Sequence, residues 1–126
     1  MNGRPAIVHL DESSDGGSTR VRITLAWEDE HYSGEASGDG EEDLARLAGE
    51  ATLRAVEAVT SGALHLELQS VATTAIGPAR IALAHVRIRG SGDDLVGNAL
   101  LGENDPALAS VKAVLDAINR PLGRVI

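Results

Sequence analysis

The sequence predicts an α+β domain built from a duplicated βββα unit, with an antiparallel sheet and two helices packed on one of its faces. Three observations lead to this prediction: segments with alternating apolar residues, two Ala-rich segments with apolar residues at helical spacing, and the same order of these segments in both halves. The repeats span approximately residues 6–60 and 63–121. With 126 residues, the chain suits a single domain over residues 1–126, because two half-length domains would each bury little surface.

The first half contains three predicted strands followed by a helix. A short strand, Ala6–Leu10, is ended by the turn-rich segment "DESSDGGST". In "RVRITLAWE", apolar residues from Val21 to Trp27 alternate with polar ones, which is typical of a half-buried strand. The acidic "EDE" closes a hairpin into "HYSGEAS". A helix then runs from about Glu41 to Val59, and Asp39 and Glu42 are spaced like a capping pair.

The second half repeats this order. Leucines alternate from Leu64 to Leu68 at the start of "LHLELQSVAT", and the strands "ARIALAHVRIRG" and "DLVGNALL" follow. Asp105 and Pro106 form a strong helix start, with an N-cap acceptor and a proline in the first helical position. We expect this last helix to end near Asn119 to Arg120, just before Pro121.

Two short matches support an internal duplication. In the strands before the helices Gly34-x-Ala36 matches Gly97-x-Ala99, and in the helices "LRAV" (Leu53–Val56) matches "VKAV" (Val111–Val114). Because both matches occur in the same order of elements, we predict that the two halves are copies of one unit.

One strand indicates how the protein assembles. In "ARIALAHVRIRG", Ile81 and Leu83 lie in one alternating phase, and Ala82, Ala84, Val86 and Ile88 lie in the other. Either a bulge near His85 reverses the phase, or both faces of the strand are buried. Helices cover one face of the predicted sheet, so the second cover would come from another molecule. We therefore expect a homodimer through the sheet face opposite the helices.

Composition excludes several classes of function. The chain has no cysteine, and therefore no disulfide or thiolate site. Its formal net charge of −8 opposes binding to nucleic acid, and it has no apolar run long enough to span a membrane, so we expect a cytoplasmic protein. His65 and Glu67 have a metal-like spacing without a third ligand, and no acid, base and nucleophile are placed together. We expect neither a cofactor nor an enzyme.

The two loop–helix segments resemble a known family. "ASGDGEEDL" and "NDPALASVKAVLDAINRPL" look like the Gly-rich loop and the Asp-led Ala-Ser helix of the C-terminal regulatory domain of 2-isopropylmalate synthase. The matching positions are Gly38, Gly40, Asp105, Ala109-Ser110, Ala117, Asn119 and Arg120. That family implies a duplicated, dimeric domain that binds leucine as a feedback inhibitor. These 126 residues contain no segment that resembles the catalytic barrel of the synthase, so the resemblance is to the regulatory domain alone.

The resemblance and the helix starts together give a predicted ligand site. A carboxylate would take N–H donors at a Gly-rich helix start, and an ammonium group would use the nearby acids. The predicted ligand-binding residues are Gly38, Asp39, Gly40, Gly97, Ala99 and Asp105. Two alternatives stay open: the acids of the first loop serve simply as helix caps, or the protein is a dimeric interaction module that binds another protein and no small molecule.

Overall fold

A computed structural model describes residues 5–39, 43–102 and 105–125, and it confirms the predicted α+β class and the duplicated βββα order. The elements are β1 (Ala6–Asp15), β2 (Ser18–Trp27), β3 (Glu30–Asp39), α1 (Leu44–Val59), β4 (Leu66–Ile76), β5 (Ala79–Ile88), β6 (Asp94–Leu100) and α2 (Pro106–Val125).

The strands form two antiparallel sheets rather than one continuous sheet. The first sheet has the order β1-β2-β3 and the second has the order β4-β5-β6. Helix α1 packs on β2 and β3, helix α2 packs on β5 and β6, and the two helices pack on each other. We call the helix-covered face of each sheet its inner face and the opposite face its outer face. Buried residues from both repeats join in a single hydrophobic core.

The inner face of the first sheet follows the predicted alternation. Val21, Ile23 and Leu25 on β2 are fully buried, whereas the intervening Arg22 is exposed. Alternation places these three apolar side chains on one face because successive strand residues point to opposite sides. They face the buried stripe of α1, which is rich in alanine and valine, so the helix approaches the sheet closely.

A pair of equivalent glycines sets the distance between helix and sheet in both repeats. A Cβ at Gly34 on β3 would overlap the backbone of Ala51 and Ala55 in α1, and a Cβ at Gly97 on β6 would overlap that of Ala113 and Ala117 in α2. Strand and helix backbones are therefore in direct contact in both units. This shared contact supports the predicted match between the two Gly-x-Ala segments.

The helix alignment predicted from the sequence is wrong by one turn. The alanine pairs that contact the two glycines are separated by 62 positions, whereas Leu53–Val56 and Val111–Val114 are 58 positions apart. With the offset of 62 positions, Val111–Val114 in the second repeat is equivalent to residues 49–52 in the first. The sequence match was misleading because apolar residues recur once per helical turn.

The first residues of the two helices are also separated by 62 positions. Asp43 caps α1 by accepting a hydrogen bond from the backbone N–H of Ala45 (2.9 Å), and Asp105 caps α2 by accepting one from Leu108 (2.8 Å). The predicted Asp105 cap is thus confirmed. The predicted Asp39–Glu42 capping pair is wrong for Asp39, which ends β3, and Glu42 lies outside the described residues.

Two other boundaries differ from the prediction. Strand β1 continues five residues beyond Leu10, because its polar segment pairs with β2 up to a turn at Gly16 and Gly17, both of which have positive φ. Helix α2 continues through Pro121 to Val125 instead of ending before the proline. The fixed φ of proline lies in the helical range, so Pro121 removes one backbone donor without forcing the helix to end.

Strand β5 does not contain a bulge near His85, which was one of the two alternatives that its sequence left open. Its pairing with β6 is continuous through His85, and the register irregularity lies in the neighbouring strand β4, between Leu68 and Ser70. Ala82, Ala84 and Val86 are buried on the face that α2 covers. The opposite phase, which contains Ile81 and Leu83, faces outward from the chain.

Candidate functional site

Two surface features stand out on the fold: a cleft between the sheets and an apolar outer face on the second sheet. The cleft, which we call the inter-repeat cleft, has a volume of about 340 Å³ and lies between β3 and β4 with α1 beneath it. It is lined by Glu35, Ala36, Ser37, Glu50, Arg54, Leu66, Glu67, Leu68 and Arg89. This volume is at the lower end of the range for small-molecule sites, which is about 300–1,000 Å³.

The inter-repeat cleft carries charges of both signs, and most are held by neighbours. The Arg54 guanidinium donates to the carbonyl oxygen of Leu66 (2.7 Å) and pairs with Glu57 (3.0 Å). Arg89 pairs with Glu67 across the cleft wall (3.5 Å). These partners restrict the rotamers of the two arginines and leave further N–H donors on each guanidinium, which carries five in total.

The free edge of β4 is protected by side chains of α1. Arg46 donates to the carbonyl oxygens of Leu68 (3.1 Å) and Gln69 (3.5 Å), and the Glu57 carboxylate accepts the N–H of Leu66 (2.8 Å). Together with Arg54, these groups occupy backbone positions that a neighbouring strand would otherwise use. This protection explains why β3 and β4 do not join the two sheets into one.

A second, smaller cleft of about 110 Å³ lies at the starts of both helices. It is lined by Asp43, Ala45, Val71, Ala72, Thr73, Ala82, Pro106 and Ser110. The capping carboxylates of Asp43 and Asp105 already occupy N–H donors at these two helix starts. They oppose the binding of a further anion there, because the positive end of each helix dipole faces a negative side chain.

The predicted ligand-binding residues are distributed over three parts of the fold. Gly38 and Asp39 belong to the end of β3, next to Ser37 of the inter-repeat cleft, and Gly40 lies outside the described residues. Gly97 and Ala99 lie on β6, and Asp105 caps α2. None of the five described residues lines either cleft, and their contact with a ligand stays a prediction.

The position of Gly97 gives it a packing role. It is buried, and the backbone of α2 fills the space where its side chain would be. The sequence did not predict that charged residues would line the inter-repeat cleft, and Glu67 was considered only for its spacing from His65. The charged lining residues come from β3, α1, β4 and the segment after β5, and only the fold brings them together.

The outer face of the second sheet is unusually apolar. Ile76, Val96 and Leu100 are exposed by 63%, 69% and 63%, and Leu83 by 37%. Strand pairing places Leu83 opposite Ala72, and Ile81 opposite Leu100. We call this group the apolar sheet face: Ala72, Ile76, Ile81, Leu83, Val96 and Leu100. Thr74 and Asn98 lie on the same face between them. Exposed large apolar side chains grouped on one sheet face are typical of interaction surfaces.

The equivalent face of the first sheet is polar. On β2 the outward positions are Arg20, Arg22 and Thr24, and on β3 the register places Ser33 and Glu35 beside them. Both sheets bury their inner faces in the same way, so the fold itself does not require an apolar outer face. The difference between the repeats shows that the apolar sheet face is a property of the second unit alone.

A small polar cluster borders the apolar sheet face. His85 Nε2 donates to Asp94 Oδ1 (2.8 Å), and Arg87 Nε donates to the same oxygen (3.1 Å). The hydrogen bond from His85, followed by that from Arg87, holds the pKa of the Asp94 carboxyl below its ordinary value. The carboxylate therefore stays ionised at the edge of the face and connects β5 to β6.

Among residues 5–39, 43–102 and 105–125, no helix is both long and apolar enough to cross a membrane. In that part of the chain, His, Asp and Glu side chains form no group of three that would hold a metal ion. Compared with protein-family models and with curated proteins, the chain matches neither a family nor an individual protein.

Proposed function

We propose that this chain is a non-catalytic, cytoplasmic dimerisation domain of the regulatory type, which binds a small amino-acid-like ligand. The observation that supports dimerisation is the apolar sheet face, where four large apolar side chains are exposed on one sheet surface. Burying apolar area contributes about 25 cal/mol per Å², so covering such side chains supplies a substantial driving force for association.

A second copy of the chain is the partner that this surface fits best. The chain carries a formal charge of −8, and two copies repel each other wherever their acidic surfaces meet. The six side chains of the apolar sheet face carry no charge, so this repulsion is smallest there. A twofold dimer brings the same patch of both copies together, which is the commonest symmetry among soluble oligomers.

The regulatory role is proposed from the resemblance to the 2-isopropylmalate synthase regulatory domain. Three features of the structure support it: the duplicated βββα order, the glycine contact in each unit, and the Asp caps separated by 62 residues. A duplicated, rigid scaffold with a cleft between its repeats suits a domain that responds to a small molecule without transforming it.

The apolar sheet face also favours an alternative function, a module that docks another protein and binds no small molecule. Sedimentation equilibrium at micromolar concentration separates the two assemblies. A dimer of the isolated chain supports the proposed function, whereas a clean monomer excludes self-association and leaves the interaction module. Calorimetry with leucine, isoleucine and valine tests the ligand, and the absence of heat and of thermal stabilisation at millimolar concentration excludes that part of the proposal.

A further inference from the structure

We propose that the inter-repeat cleft is the ligand site, and that it takes a small zwitterion whose carboxylate contacts Arg54 and Arg89 and whose ammonium group contacts Glu35 and Glu50. This inference rests on the ligand-binding part of the proposed function and gives it a location. It differs from the site predicted around the helix starts, where Asp43 and Asp105 already cap the helices.

The positive groups of the cleft come from two different elements. Arg54 rises from α1 and is fixed by the Leu66 carbonyl and by Glu57, while Arg89 follows β5 and is held by Glu67. An anionic group between them would use donors that their present partners leave free. Charge-assisted hydrogen bonds of this kind are roughly twice as strong as neutral ones.

The carboxylates of the lining restrict the net charge of the ligand that the cleft can bind. Glu35, Glu50 and Glu67 outnumber the two arginines of the lining, so a simple anion such as phosphate meets net repulsion. A molecule with one carboxylate and one ammonium group satisfies both signs at once. Glu35 lies on the outer face of the edge strand β3, where it pairs with Arg22 (3.5 Å), and Glu50 on α1 pairs with Arg46 (3.0 Å), so both carboxylates border the cleft and each already has one cationic partner.

An added β-strand is a poor occupant for the same cleft. The Leu66 N–H and the carbonyl oxygens of Leu66 and Leu68 are already bonded to α1 side chains. A strand pairing with β4 would first have to break these bonds, including one to the partly buried Glu57. A small molecule leaves them intact, and about 340 Å³ accommodates one amino acid.

The test measures binding of five amino acids to the full chain by calorimetry and thermal shift. Leucine, isoleucine, valine, lysine and glutamate share the zwitterion and differ in the side chain. Arg89 is the residue to change, because its side chain is 66% exposed and its loss leaves the core intact. Arg89→Gln should weaken binding about tenfold, the effect of losing one charge-assisted hydrogen bond. Arg80→Gln removes the same charge from an exposed position outside the lining and should leave binding unchanged.

A second comparison checks the zwitterion itself. Isoamylamine is leucine without its carboxylate, and isocaproate is leucine without its ammonium group. If leucine binds, each of these analogues should bind at least about tenfold more weakly than leucine. Binding that is unchanged in Arg89→Gln and in Glu35→Gln would overturn the cleft as the site and leave the proposed function standing. If none of the five amino acids binds, both the cleft and the ligand part of the proposed function are wrong, while the dimer is decided separately by sedimentation.

Discussion

Gly34 on β3 lies directly against the backbone of Ala55 on α1, with no room for even a methyl group between strand and helix. Overpacking of a core by added methyl groups usually costs 1–3 kcal/mol, and here the obstacle is backbone rather than a flexible side chain. We therefore expect Gly34→Ala to reduce the free energy of unfolding by about 3 kcal/mol, and Gly97→Ala to do the same in the second repeat. Urea denaturation measures both.

The control for this pair is Gly16→Ala in the β1–β2 turn. Gly16 has a φ of +57° and no atom within 4 Å of an added Cβ, so only left-handed backbone strain of about 1 kcal/mol is expected. Equal costs at Gly34 and Gly16 would contradict the close approach of helix and strand.

The sequence allowed the elements of the fold to be predicted more reliably than their boundaries. Alternation of apolar and polar residues from Val21 to Leu25 identified β2, because one face of this strand packs in the core and the other faces water. The same pattern predicted too short a strand β1, because the polar end of β1 is exposed on both faces and is held in place by pairing with β2. Pairing of this kind depends on partners distant in sequence, and local composition does not reveal it.

The candidate site was harder to predict than the fold. The helix starts carry local signals, and Asp105 was recognisable because an N-cap acceptor precedes a proline. The inter-repeat cleft has no such signal. Arg54 and Arg89 are 35 positions apart, and they line one cleft because α1 lies beneath the free edge of β4. A charge on an exposed helix face is ordinary in any sequence, and its role depends on the element that packs beside it.

The Asp105 cap makes a measurable contribution to the last helix. Its carboxylate accepts the N–H of Leu108, and losing such an acceptor costs about 0.5–2 kcal/mol. Asp105→Ala should lower the denaturation midpoint accordingly, and Asp43→Ala should have a similar effect on α1. Asp105→Asn keeps an acceptor oxygen and serves as the control. An unchanged midpoint in Asp105→Ala would show that the helix starts elsewhere.

The Asp94 cluster predicts a dependence of stability on pH. Hydrogen bonds from His85 and Arg87 lower the pKa of Asp94 in the folded protein below its ordinary value of 3.8. The stabilisation is thus fully present above pH 3.8 and is lost as the pH falls through the folded pKa, because the protonated carboxyl no longer attracts these donors. Asp94→Asn should destabilise the protein at neutral pH and have a smaller effect below that value.

Denaturation of both proteins at neutral pH and near pH 3 measures this difference. Asp93→Asn makes the same change of charge one residue away from the cluster and controls for net charge. A destabilisation by Asp94→Asn that is equal at both pH values would show that ionisation of Asp94 does not contribute.

The proposed dimer through the apolar sheet face predicts that one charge on this surface prevents association. Val96 is 69% exposed and projects outward from β6, so Val96→Lys leaves the inner core unchanged. In a twofold dimer the substitution places one ammonium group from each copy in the interface, and burying these charges away from water opposes association. We expect Val96→Lys to be a monomer at micromolar concentrations at which the natural chain is a dimer, with little change in the circular dichroism spectrum. Ser13→Lys adds the same charge on exposed β1 of the first sheet and should stay dimeric, so dissociation of this control instead of Val96→Lys would place the interface on the first sheet.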